Sequence, residues 1–263
     1  MGMFAALWRY RHFIMSSIRG EFMTRYARLR LGLLWSVLNP LAQAAIFALI
    51  LAEVLGAKLP GVASKVAYPI YLMAGMAAWG LFSEIVNRCL TIFIEYASPL
   101  KKIAFPRLCL PIIVLGGALV NHALLLLAIA IVFIFFGVVP GFAWLVLPLG
   151  AGLIAIFGFG LGVMLGMFNV FSRDVGQVMS VVLQMWFWLT PIVYMHDMLP
   201  ANLRPFIELN PMVALVGIYQ QALLFDRLPD PFPLIAPTLI SCALFFFSFV
   251  LFRRANHELI DAL

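Results

Sequence analysis

Charge is what this sequence has least of. Only 11% of its 263 residues are Asp, Glu, Lys or Arg, while 65% are apolar. A soluble domain averages about 25% charged and about 45–50% apolar. The polar residues cannot cover such a chain in water, so lipid is its solvent. Cysteine is scarce too. Cys89, Cys109 and Cys242 are odd in number and form no CxxC pair, so neither a disulfide framework nor a zinc site is implied. No GxxxxGK[ST] occurs, which excludes ATP binding through a P-loop on this chain. HExxH, GxSxG and a carboxylate pair on a soluble face are missing as well, and with them the common hydrolase chemistries. The four histidines, His12, His122, His196 and His257, are scattered. No series of intramembrane acids suits a proton-coupled pump, and no internal repeat is evident. The first thirty residues carry six arginines and no apolar core long enough for a cleavable signal peptide.

What the chain does have is long apolar runs. A span needs roughly 20 apolar residues. Runs at about 32–54, 69–87, 108–136, 144–168, 178–194 and 232–252 predict an all-α integral membrane protein with six transmembrane helices. The net charge of +6 reads as topology rather than as nucleic-acid binding. Arg9, Arg11, Arg19, Arg25, Arg28 and Arg30 precede the first run. Arg88, Lys101, Lys102 and Arg107 lie between the second and third, Arg173 between the fourth and fifth, and Arg253 and Arg254 after the last. Only Lys58, Lys65, Arg204 and Arg227 fall on the other side. The positive-inside rule then places both termini in the cytoplasm.

Several segments do not read as plain spans. Residues 4–30 predict an interfacial helix, with Ile14, Ile18, Phe22, Tyr26 and Leu29 on one side and Arg9, His12, Ser16 and Arg19 on the other. Glu21 and Arg25 are four apart and can meet on one helix face. Such a helix is either a lipid-surface anchor or a docking surface for a partner. Loop 88–107 is too short for a domain but long enough for a helix and a turn. Its basic residues are either a topology signal or a phosphate-binding gate. Residues 184–211 begin with Trp186, Phe187 and Trp188 in a row and then contain Pro191, Pro200, Pro205 and Pro211. Consecutive rings on a helix fan over about 200°, so at least one must face protein or a lumen. The stretch 195–230 is too polar and too short to span. It predicts two short re-entrant helices on the outer side, serving as a pathway mouth or as a packing lid. Asn121 and His122, in mid-span, suit interhelical hydrogen bonds. Gly158, Gly162 and Gly166 allow close helix packing.

Three motifs in order carry a family resemblance. "RGEFMTRYARLRLGLLWSVLNPL" supplies Glu21, Arg25-Tyr26, Leu31-Gly32, Trp35 and Asn39-Pro40. "SPLKKIAFPR" covers 98–107. The third supplies Thr190-Pro191, Leu199-Pro200, Leu203-Arg204 and Leu209-Asn210-Pro211. The chain resembles, along essentially its whole length, the permease subunit of polysaccharide-exporting type-2 ABC transporters, above all the Wzm-type O-antigen exporters. Capsule and teichoic-acid permeases share much of the pattern.

That resemblance implies a homodimer of six-span permeases in the bacterial inner membrane with two separate ATPase subunits, which bind the ATP and magnesium. No cofactor is then expected on this chain, and no enzyme activity. Residues 1–31 resemble the interface helix; within a transmembrane domain over 32–263, residues 92–106 resemble the cytosolic gate helix and 195–227 the outer re-entrant gate. Arg19, Glu21, Arg173 and Asp174 are the candidate ATPase contacts. The substrate implied is a glycan on an undecaprenyl diphosphate-type carrier. Two phosphates need cations, and Arg25, Arg28, Lys101, Lys102 and Arg107 are the best supply, with Gly32 allowing close approach of the backbone. Trp35, Phe47, Trp186, Phe187, Trp188 and Tyr194 are the candidate channel rings. A secondary transporter of a lipid-like substrate and a membrane-embedded transferase are the rival readings. The first lacks coupling acids and inverted repeats. The second has only Asp197, Glu208, Asp226 and Asp230 as outer carboxylates.

Overall fold

A computed structural model describes residues 8–27, 67–97, 106–135 and 140–255, with isolated positions at 38 and 42; side chains at 22, 24–27, 135 and 197 are outside the description. Among the described residues all regular structure is helical. In chain order the helices are α1 (Arg11–Ala27), α2 (Ala67–Glu95), α3 (Cys109–Phe135), α4 (Leu147–Phe171), α5 (Asp174–Leu189), α6 (Arg204–Glu208), α7 (Pro211–Leu224) and α8 (Ile235–Ala255). Short 3₁₀ turns precede α4, α6 and α8, at Phe142–Val146, His196–Met198 and Phe232–Leu234.

Four stretches are long and apolar enough to cross a membrane: Ala67–Glu95, Cys109–Ile134, Phe142–Phe171 and Phe232–Ala255. They correspond to the second, third, fourth and sixth predicted spans. The first, 32–54, lies outside the described residues. Large apolar side chains stay exposed on α3 (Leu127, Ile131, Ile134) and on α8 (Leu239, Phe246, Phe247). Water would not tolerate faces that greasy, so these helices show them to lipid.

The core forms around α2, whose Leu72, Ala74, Ala78, Phe82, Ile85 and Val86 are fully buried. α4 lies against it along the glycine ladder predicted for close packing. A Cβ at Gly162 would stand 2.8 Å from Cys89 Cβ, and one at Gly166 would overlap the Cys89 carbonyl oxygen. On the other face of α4, a Cβ at Gly160 would come within 2.7 Å of the Phe245 backbone nitrogen of α8. In lipid, where solvent does not drive helices together, such close approach is what dispersion needs.

The predicted fifth span ends early. α5 stops at Leu189, five residues before the predicted limit of 194. Pro191 has no N–H to continue the ladder and pushes the preceding residue out of the helical region. Thr190 accordingly sits at φ −103°, ψ 131°. With 16 residues α5 is about 24 Å long, short of the ~30 Å hydrocarbon core. α7 is shorter still, yet its Met212, Leu215, Val216, Ile218, Tyr219 and Ala222 are buried against α2 and α4.

Candidate functional site

The break after α5 is where a membrane protein is most vulnerable, because non-helical carbonyls have no partners in lipid. Here side chains supply them. The Pro191 carbonyl accepts from Tyr71 Oη at 3.0 Å and from Gln220 Nε2 at 2.9 Å. The Val193 carbonyl accepts from Tyr68 Oη at 2.8 Å, and the Tyr194 carbonyl lies 3.0 Å from Tyr71 Oη, whose single proton it shares with the Pro191 carbonyl. The tyrosines come from the first two turns of α2 and the glutamine from α7, so the break is held between two packed helices. Gly75 makes room for it: a Cβ there would lie 3.0 Å from Ile192 Cγ2.

Asn210 joins the break to α7. Its Oδ1 caps the helix by accepting from the Met212 N–H at 3.0 Å, with Pro211 in the first turn where a missing N–H costs nothing. The same oxygen accepts from the Trp186 indole Nε1 at 2.8 Å, and Nδ2 donates to Thr190 Oγ1 at 3.0 Å. One side chain therefore latches the end of α5 to the start of α7. Farther out, His196 Nε2 lies 3.2 Å from Glu208 Oε1.

The three consecutive rings divide as their fan requires. Trp186 turns into the helix bundle, with ring centroids 5.3 Å from Phe82, 6.1 Å from Phe157 and 6.3 Å from Trp79. Phe187 is intermediate, 5.8 Å from Trp79 and 5.5 Å from Trp188. Trp188 faces out, and its backbone carbonyl accepts from Tyr194 Oη at 3.0 Å. With Val178, Val181 and Met185 it forms an exposed apolar stripe along α5, spaced three and four residues apart.

A second constellation joins α1, α2 and α3. Arg88 of α2 pairs with Glu21 of α1 and, at 3.5 Å, with Glu84 one turn back on its own helix. Asn121 Nδ2 of α3 donates to Glu84 Oε1 at 2.8 Å. The three charged side chains are 22–35% exposed, neither solvated nor sealed. α1 rests on α3 at a glycine pair. Ile18 occupies the place a Cβ on Gly116 would need, and a Cβ on Gly117 would stand 3.1 Å from Arg88 Nη1. The neighbouring predicted polar residue, His122, meets Tyr219 Oη of α7 at 2.8 Å. Both mid-span polar residues thus make the interhelical bonds expected of them.

The turn between α4 and α5 is exposed and carries Arg173 and Asp174. Buried Asn169 lies beneath it. Its Nδ2 donates to the Leu90 carbonyl at 2.8 Å and its Oδ1 accepts from the Gly176 N–H at 2.9 Å, tying the turn to α2.

Of the candidate ATPase contacts, Arg19, Arg173 and Asp174 are exposed, whereas Glu21 turns toward the spans and Arg88. The candidate rings Trp186, Phe187, Trp188 and Tyr194 gather around the break; Trp35 and Phe47 lie outside the described residues. Of the candidate phosphate ligands, Arg107 is half-buried in the turn before α3. Arg28, Gly32, Lys101 and Lys102 lie outside the description, as does the Arg25 side chain, and with it the expected Glu21–Arg25 pair. The sequence carries Asn210 only as part of a motif, and it does not single out Asn169 or the Arg88 network. Asn210-Pro211 is a helix-start signature that could have been read; Asn169 leaves no local signal.

Residues 12–224 match the ABC-2 type transporter family. Among curated proteins, an O-antigen export system permease protein RfbA of Klebsiella pneumoniae is 32% identical over 200 residues, 74% of each chain. RfbA of Myxococcus xanthus, with the same description, is 28% identical over 261 residues, 98% of this chain and 97% of its own. The polysialic acid transport protein KpsM of Escherichia coli is 21% identical over 249 residues, 92% of this chain and 93% of its own.

Proposed function

Because this chain belongs to the ABC-2 type transporter family, we propose that it is the channel-forming permease of an exporter that moves lipid-linked polysaccharide of O-antigen type across the bacterial inner membrane. The observation that carries this is the RfbA of Myxococcus xanthus, similar from end to end. In this reading two copies form a homodimer with six spans each and both termini cytoplasmic. Two copies of a separate ABC subunit bind ATP and magnesium. The permease breaks no covalent bond.

The geometry gives the parts roles. α1 receives the ATPase on its exposed face, which shows His12, Ser16 and Arg19. The exposed Arg173–Asp174 turn is a second contact. The carrier diphosphate docks on Arg25, Arg28, Lys101, Lys102 and Arg107, with Gly32 close by. α6 and α7 form the outer re-entrant gate; α7 is buried against α2 and α4, as a non-spanning helix at membrane depth must be, while α6 stays exposed. The glycan slides over rings such as Trp188, Trp35 and Phe47, which offer contact area without fixed hydrogen bonds. Trp186 anchors the gate from behind.

Deletion of the gene should abolish surface glycan, and affinity purification of the chain should bring down a P-loop ATPase. A chain recovered without any ATPase would point instead to a secondary transporter. A capsular polymer is the second reading, favoured by the likeness to KpsM. Which surface polymer disappears on deletion separates the two.

A further inference from the structure

We infer that Arg88 is a positioning residue that keeps α1 in register with the spans, so that movement of α1 reaches α2 and α3 without slipping. The inference rests on the exporter reading, in which α1 receives the stroke of the ATPase.

Two kinds of contact hold α1. The first is apolar, where Ile18 sits on Gly116 of α3. Apolar contact is non-directional, so on its own it lets one helix slide along another. The second is directional. The guanidinium of Arg88 reaches Glu21 on α1 and Glu84 on α2, and Asn121 of α3 holds the second carboxylate. Charge-assisted hydrogen bonds from a rigid planar cation fix position along the helix as well as separation. Partial burial shields the pairs from the screening that weakens an exposed ion pair. The cluster also explains the glycine pair, since a side chain at Gly117 would crowd the guanidinium. Glu21 is thus engaged inward, while α1 keeps its other face, with His12, Ser16 and Arg19, for a partner.

Arg88 is the asymmetric member of the cluster. Removing Glu21 leaves Arg88 on Glu84. Removing Arg88 breaks both pairs at once.

The test uses the full chain with its ATPase in lipid nanodiscs for ATP hydrolysis, and whole cells for surface glycan. Arg88→Gln should keep assembly and ATP hydrolysis while export per ATP falls about tenfold, within the ~5- to 150-fold range of coupling between sites. Arg88→Lys should restore part of it, and Glu21→Gln should lose less than Arg88→Gln. Gly116→Leu, which pushes Ile18 off α3 with every charge in place, should show the same uncoupling, and adding Ile18→Ala should return export. If assembly, hydrolysis and export fall together in proportion in both Arg88→Gln and Gly116→Leu, the joint is merely structural and the inference is overturned. If the wild-type chain recovers no ATPase, the exporter reading falls and takes the inference with it.

Discussion

Trp186 and Trp188 are two residues apart and answer to different physics. Trp186 is packed among three rings and donates to Asn210. Trp186→Ala should cost about 3–5 kcal/mol, as truncation of a packed aromatic does, and lower the thermal midpoint of the detergent-solubilised chain. Trp188 is exposed, and Trp188→Ala should leave that midpoint nearly unchanged while reducing surface glycan if it lines the glycan path. Equal losses of stability from the two would remove the distinction. Asn210→Ala strips the α7 cap and orphans the indole N–H, an expected cost of about 1–3 kcal/mol. Asn210→Asp keeps the acceptor for both N–H groups and should lose less, measured by the same melt.

At the scale of elements, the glycine face of α4 decides how near α2 can come. Gly166→Val should force the helices apart at the Cys89 carbonyl and destabilise by about 1–3 kcal/mol, as overpacking does. Gly152, with open space around it, should accept alanine without loss in the same melt. That ladder was legible in the sequence because glycine spacing on a helix maps directly onto one face. The apolar runs of α2, α3, α4 and α8 were legible for the same reason: length and composition suffice for a span. The end of α5 was not, because Ile192, Val193 and Tyr194 stay apolar after the helix has ended. Hydropathy reports what a residue is made of, whereas Pro191 acts on the backbone. The joint at Arg88 was hidden for another reason. Glu21 and Arg88 are 67 residues apart, and no periodicity links them.

For the whole molecule, the exporter reading separates binding the ATPase from admitting the substrate. Reversing charge at Lys101 and Lys102 should block surface glycan while the ATPase still copurifies. Normal surface glycan in that variant would remove the phosphate-gate assignment. The family was legible in three short motifs because they sit where the chain departs from plain apolar helix. The polar contacts that close the structure join distant segments and were not. The hydroxyls of Tyr68 and Tyr71 serve carbonyls 120 to 125 positions later in the chain. During synthesis those donors enter the bilayer long before their acceptors exist. When the kinked stretch emerges it finds α2 in place but not Gln220 of α7, and it must wait, shielded by the insertion machinery or by water, until α7 follows. Biogenesis therefore has a late and obligatory step, and a truncated nascent chain ending shortly after α5 should be the form that cellular quality control destroys.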